Sequence, residues 1–230
     1  SLDRRQRQMC IRDRSNRLPI LFLPGDTYAN RMPDPVLQQV EHFNNPGITA
    51  NDAFKPVTRY FDRITRPEQI IQSFPAAVQM MLDPADCGPA CISLSQDIQG
   101  QTFNYPEEFF KERIHAIRRP RPDVFQIKEA AEKIKSSKNP IIISGGGVFY
   151  SEAMDELSRF AIKHNIPVTQ TVMGYSTMKR DHSHYAGQIG GLGGKNTNSL
   201  AKQTDLAIAV GTKLADFTTG SWANFENENF

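Results

Sequence analysis

The sequence predicts an α/β protein in two parts, the second a Rossmann-like unit built on a parallel sheet. Three observations carry this reading. Short apolar runs, LPILFLPGD at 18–26, III at 141–143 and LAIAV at 206–210, have the length and continuity of strands covered on both faces. Between such runs lie longer stretches with helical apolar spacing, so strands and helices alternate as βαβ crossovers require. A Pro- and Arg-rich break, IRRPRPD at 117–123, divides the chain and has the composition of a stiff, solvated linker.

In chain order, 18–26 reads as a buried strand. DPVLQQVEHF (34–43) reads as a short helix with Asp34 as N-cap and Pro35 in its first turn. A second helix follows at 65–82, with Ile70, Phe74, Val78 and Leu82 on one face and Pro75 expected to kink or divide it. Ala90 to Leu94 is a strand that delivers Gln96 and Asp97 at its carboxyl end, and 105–115 is a charged amphipathic stretch. Beyond the linker come a helix at 123–136 with the stripe Ile127, Ala130, Ala131 and Ile134, and a strand at 141–143. A helix at 152–164, a strand at 167–171, a helix at 196–203 and a strand at 206–210 complete the series.

Composition narrows the function. Hydrophobic residues at 39% and charged residues at 23% are ordinary for a globular protein. A net charge of +2, with acids interspersed among the bases, gives no electrostatic case for nucleic acid. No apolar run approaches the roughly 20 residues of a membrane span, and the basic N-terminus lacks the apolar core of a signal peptide, so a cytoplasmic location is expected. The cysteines, Cys10, Cys87 and Cys91, are odd in number and lack CxxC spacing, which argues against a disulfide framework or a metal site. Residues 1–14, with RRQRQMCIRDR at 4–14, have no apolar period and resemble the translation of a sequencing-library adapter. They are expected to be non-native and without structure, the natural sequence entering near Ser15. The polar close NFENENF (224–230) suggests an internal fragment of a longer protein.

Two glycine loops invite a cofactor reading. Gly145-Gly146-Gly147 stands where a strand turns into a helix, but GxGxxG would need glycine at Tyr150. GGLGGKN near 190 fails the phosphate-loop pattern at Ile189 and Asn196, although free N–H groups before the next helix could still receive an anion. His182 and His184 read as an exposed loop entering the next strand, His164 as a helix C-terminus, and His42 and His115 have no catalytic neighbours in sequence.

Five ordered segments carry a resemblance. KPVTRY (55–60), CGPACISLSQD (87–97), PIIISGGG (140–147), DHSHYAGQIGGLGG (181–194) and TDLAIAVGTKLADFTTG (204–220) are similar in order and spacing to thiamine diphosphate-dependent enzymes of the acetolactate synthase type. LPGDTYANRMPDPVLQQVEHF, NDAFKPVTRYFDRITRPEQ and GGGVFYSEA resemble the branch that hydrolyses a carbon–carbon bond of a cyclic 1,2-dione in myo-inositol catabolism. The resemblance implies residues 15–116 as the later part of a pyrimidine-binding domain, 117–123 as linker and 124–230 as a central domain, both domains truncated. It also implies thiamine diphosphate with Mg2+, a small cyclic dione as substrate, and a homodimer or tetramer.

The family's activating glutamate lies upstream of Arg17 and its GDG motif further downstream. Glu41, Glu68, Glu107 and Glu108 do not stand in for the former, so no catalytic or metal-ligating residue is assigned and the chain alone is expected to be inactive. In flavin-carrying relatives the loops matching Gly145, Gly146 and Gly147, Gly190 to Gly194, and Gly211 to Asp216 surround the flavin. Gly145, Gly146, Gly147, Gly211 and Asp216 are therefore the candidate cofactor-binding residues. TKLADF (212–217) departs from those relatives' Arg-Phe-Asp-Asp-like run, and FAD is not expected in the ring-opening branch.

Overall fold

A computed structural model describes residues 10–30, 36–40 and 42–230. The chain divides into two units between Arg119 and Pro120. The predicted N-cap Asp34 and Pro35, and Glu41, lie outside the described residues.

The first unit is built on an all-parallel sheet. Its central strand β4 (Ala90–Ser95) pairs on one edge with β1 (Leu21–Phe22) and β2 (Gly25–Asp26), and on the other with β3 (Tyr60–Ile64). The single strand expected at 18–26 is split because Pro24 has no N–H to give the ladder, though its carbonyl still accepts from Leu94 N at 2.9 Å. β3 is absent from the sequence reading.

Helix α1 (Ile70–Leu82) covers one face of this sheet and runs on through Pro75 undivided. Ile70, Ala77 and Met81 pack on Ile64, Ala90 and Ile92, and the Tyr60 hydroxyl meets Ser73 Oγ at 3.0 Å. That docking outweighs the one backbone bond proline removes. The buried line is therefore Ile70, Ser73, Ala77 and Met81, and Phe74 of the predicted face is 40% exposed.

The opposite face carries Cys91 and Phe61 against Phe54, with Cys10 buried beside them. Contrary to expectation, residues 10–15 form a helical segment. Among the described residues of the predicted helix at 34–43 there is one 3-10 turn, Leu37–Gln39, and the stretch at 105–115 holds another, Glu107–Phe110.

The second unit is a parallel four-stranded sheet ordered β7 (Tyr185–Gln188), β6 (Val168–Gln170), β5 (Pro140–Ser144), β8 (Leu206–Val210). Helix α2 (Val124–Ser136) is N-capped by Asp123, whose carboxylate accepts the Phe125 amide at 2.8 Å. Only Ile134 of its predicted stripe reaches the core, and Ile127 is 50% exposed.

The helix expected at 152–164 is α4 (Met154–His164), and an additional short helix, α3 (Gly146–Tyr150), precedes it, the two separated by Glu152 with φ 56°, a conformation no right-handed helix holds. Leu157 and Ala161 of α4 bury one face of the sheet with Ile142 and Val168, while Ala201 of α5 (Lys195–Gln203) covers the other with Ile141 and Ile143. The Asp205 carboxylate ties the approach to β8 to that of β5, accepting from Ser137 Oγ, Lys138 N at 2.8 Å and Asn139 N at 3.0 Å. These bonds, Ser137's foremost, hold its pKa below the ordinary carboxylate value. Among the described residues, no helix is long and apolar enough to cross a membrane.

Candidate functional site

In the second unit the chain lays down β5, β6 and β7 in one direction and then places β8 on the other side of β5. Parallel sheets bind ligands at the carboxyl ends of strands where the order reverses in this way. Gly145, Gly146 and Gly147 follow β5 at this position, and Gly211 follows β8.

The two loops are joined backbone to backbone. Gly145 N donates to Val210 O at 2.9 Å and Gly147 N to Gly211 O at 2.8 Å. The loop after β6 leans on the same corner, where Thr171 N donates to Ser144 O at 3.0 Å. Asp216 opens the four-residue helix α6 (Asp216–Thr219), and its carboxylate accepts Ser221 Oγ at 2.7 Å.

The second glycine loop is closed as well. Gly190 N donates to Asn198 Oδ1 at 3.0 Å, Gly191 N to Phe217 O at 2.8 Å, Gly193 N to Gly190 O at 2.8 Å and Gly194 N to Gln188 O at 3.1 Å. Asn198 Nδ2 returns a bond to Gly190 O at 3.0 Å, so one amide side chain clamps both backbone groups of that residue. The glycine N–H groups expected to receive an anion are already engaged.

The first unit holds a polar cluster the sequence reading missed. On the face of the sheet opposite α1, side chains change from apolar at Cys91 and Phe61 to ionic at Ser93 and Arg63, the paired positions near the carboxyl end. Asp26, fully buried, accepts from Arg63 Nε at 2.6 Å and from Ser93 Oγ at 2.5 Å. Arg63 Nη2 reaches on to Thr49 Oγ1 at 2.9 Å and Asp52 Oδ1 at 3.1 Å, and Asn51 Nδ2 donates to Gly25 O at 2.8 Å and Ser93 Oγ at 2.7 Å. Burial pushes the Asp26 carboxyl up, yet the bonds from Ser93, Arg63, the Thr27 amide and Thr49 together hold it below the ordinary value. The only local trace is the capping box, Thr49 N donating to Asp52 Oδ2 at 2.7 Å across three residues. No pattern in the chain announces that Asp26 meets Arg63.

The remaining candidates have structural roles. The His184 backbone N–H donates to His182 Nδ1 at 3.1 Å, so the neutral His182 ring carries its proton on Nε2, which faces Ser158 Oγ at 2.9 Å. With His184 Nε2 on Asn165 Oδ1 at 3.1 Å, the pair fastens the loop before β7 to helix α4. Among the described residues no group of three or more His, Cys, Asp or Glu could hold a metal ion.

A cavity of about 330 Å3 opens at the carboxyl ends of β3 and β4, floored by Ile64, Ile70 and Leu94 and rimmed by Ser95, Gln99 and Tyr105. It has no acid or base to move a proton. Burial pushes the Cys10 thiol up to about 11 and the Cys91 thiol up to about 12, leaving both un-ionised and poorly nucleophilic at neutral pH. Ellman's reagent is therefore expected to leave Cys10 and Cys91 unmodified in the native chain and to react with all three cysteines once it is unfolded.

A diphosphate needs free backbone N–H groups, cations or a bound metal. The engaged glycine loops and the absence of a metal cluster among the described residues do not fit thiamine diphosphate with Mg2+, nor a flavin dinucleotide, at these loops.

Comparison with known proteins gives the lineage. 3D-(3,5/4)-trihydroxycyclohexane-1,2-dione hydrolases of Clostridium botulinum (strain Alaska E43 / Type E3) and Clostridium perfringens (strain 13 / Type A) are each 50% identical over 212 residues, 92% of this chain and 33% of the relative. The Bacillus licheniformis protein of the same name is 46% identical over 215 residues, 94% of this chain and 34% of the relative. The chain thus spans about a third of the length of these relatives.

A solved Mycobacterium smegmatis structure, described as a thiamin diphosphate-dependent enzyme, matches in fold with TM-score 0.66 at 21% identity, over 90% of this chain and 38% of that one. The model of the family described as thiamine pyrophosphate enzyme, central domain, matches residues 127–229, which take in every strand and nearly all the helices of the second unit.

Proposed function

We propose that this chain is part of a thiamine diphosphate-dependent hydrolase that opens the ring of 3D-trihydroxycyclohexane-1,2-dione to 5-deoxy-glucuronate in inositol breakdown. The observation that carries the proposal is the 50% identity running through both units, over 92% of the chain, to relatives that bear this hydrolase's name. Thiamine diphosphate, when bound, supplies an electron sink for breaking a carbon–carbon bond. The sequence given has no Gly-Asp-Gly, and the amides of Gly145, Gly147, Gly190, Gly191, Gly193 and Gly194 donate within the fold. The diphosphate and Mg2+ are therefore held by parts of the longer protein outside these residues. This reading makes residues 15–116 part of a pyrimidine-binding domain and 124–230 a central domain, in a cytoplasmic homodimer or tetramer.

The role of the present residues is architectural. The Asp26–Arg63–Asp52 cluster fixes the carboxyl end of the first sheet, and the second unit presents a closed scaffold. The test is to express the complete reading frame and the 230-residue chain side by side, with thiamine diphosphate and Mg2+, and to follow the dione by NMR. The complete protein is expected to give the ring-opened carboxylate and the chain alone none. A complete, folded, cofactor-loaded protein that leaves the dione intact would remove the proposal.

A further inference from the structure

We infer that the ligand crevice of the second unit is shut by its own glycines, which form a backbone clasp and take no flavin or dinucleotide. The inference rests on where the loops' atoms already are, independently of the reaction proposed above. A Cβ on Gly147 would lie 2.6 Å from Gly211 Cα, and one on Gly211, whose φ is 59°, would lie 2.5 Å from Val148 N. Each glycine occupies the space the other's side chain would need, so the two loops approach as closely as bare backbone allows.

Nucleotide-binding glycines instead leave that space, and their N–H groups, for a pyrophosphate. Here Gly145 N and Gly147 N point into the β8 loop and are bonded to it, and Met173 O closes the third side, 3.1 Å from where a Gly146 Cβ would stand. Helix α3 begins at Gly146 but is only five residues long, too short to offer an N-terminal anion site of its own. The carbonyls of Val210 and Gly211, turned toward these amides, would face any incoming phosphate with the wrong sign. The glycine-rich segment PIIISGGG is on this account a packing signature.

The experiment titrates the 230-residue chain separately with FAD, NAD+ and coenzyme A by calorimetry, and compares the ligand-free melting of wild type with Gly147→Ala and Gly211→Ala. No saturable heat is expected from any of the three ligands. Both variants are expected to melt at least roughly 10 °C lower with no ligand present, as fits a loss of a few kcal/mol in a unit of this size. A glycine kept for ligand binding would behave in the opposite way, with unchanged melting of the ligand-free protein and a loss of affinity. Saturable binding of any of the three at micromolar Kd, or variants that melt with the wild type, would overturn the inference. The titration of wild type decides it even where a variant fails to fold. Dione hydrolysis by the complete protein bears on neither result.

Discussion

Arg63→Met is expected to cost about 3–5 kcal/mol of folding free energy at neutral pH, because it strips the cation from a fully buried carboxylate. Asp26 keeps Ser93 and the Thr27 amide, but loses the bond at 2.6 Å from Arg63 Nε. In the native protein the Asp26 pKa is held below its unfolded value. Its contribution is therefore complete above the ordinary carboxylate pKa of about 3.9 and is lost as the pH falls through the lowered value.

In the variant, burial, the largest single influence on this group, is no longer outweighed by the cation. The carboxyl titrates higher, and the penalty shrinks on acidification as Asp26 takes up a proton. Urea denaturation followed by circular dichroism, at neutral pH and in a mildly acid buffer, measures both quantities. A difference from wild type below about 1 kcal/mol, the scale of an exposed ion pair, would show that the cluster is solvated.

Ile142→Ala is expected to destabilise the second unit by about 2–5 kcal/mol. Ile142 is fully buried at the centre of β5, between β6 and β8, and meets Leu157, Ala161 and Val168. The removed atoms lose their burial, and a sheet flanked by strands on both sides collapses poorly into the space left behind. Trp222, the one tryptophan of the sequence, lies in this unit, so its fluorescence reports the unit's midpoint directly. An unchanged midpoint would mean that β5 is not the core strand described here.

What the sequence disclosed was set by whether the determining contacts are local. β8 and α2 were legible within a residue because continuous apolar runs and an N-cap define them without outside help. β3 was not, since YFDRI carries two charges and becomes a strand only when Arg63 finds Asp26 and Asp52 across the fold. The short helix α3 was not legible either, because five residues span too few turns to show an apolar period.

Gly145, Gly146 and Gly147 follow β5 and Gly211 follows β8, and failure of the GxGxxG spacing at Tyr150 was visible from the start. The destination of the glycine amides depends on Val210, Gly211 and Phe217, all remote along the chain, and on Asn198 eight residues on, and only the folded geometry supplies it.

The proposal that this chain is part of a ring-opening dione hydrolase competes with a synthase that shares its fold. The most direct measurement is the ratio of kcat/KM of the complete, thiamine diphosphate-loaded protein for the cyclic dione and for pyruvate. Turnover of the dione to a ring-opened carboxylate, with no acetolactate from pyruvate, is the expected result. Acetolactate formation with an inert dione would contradict it.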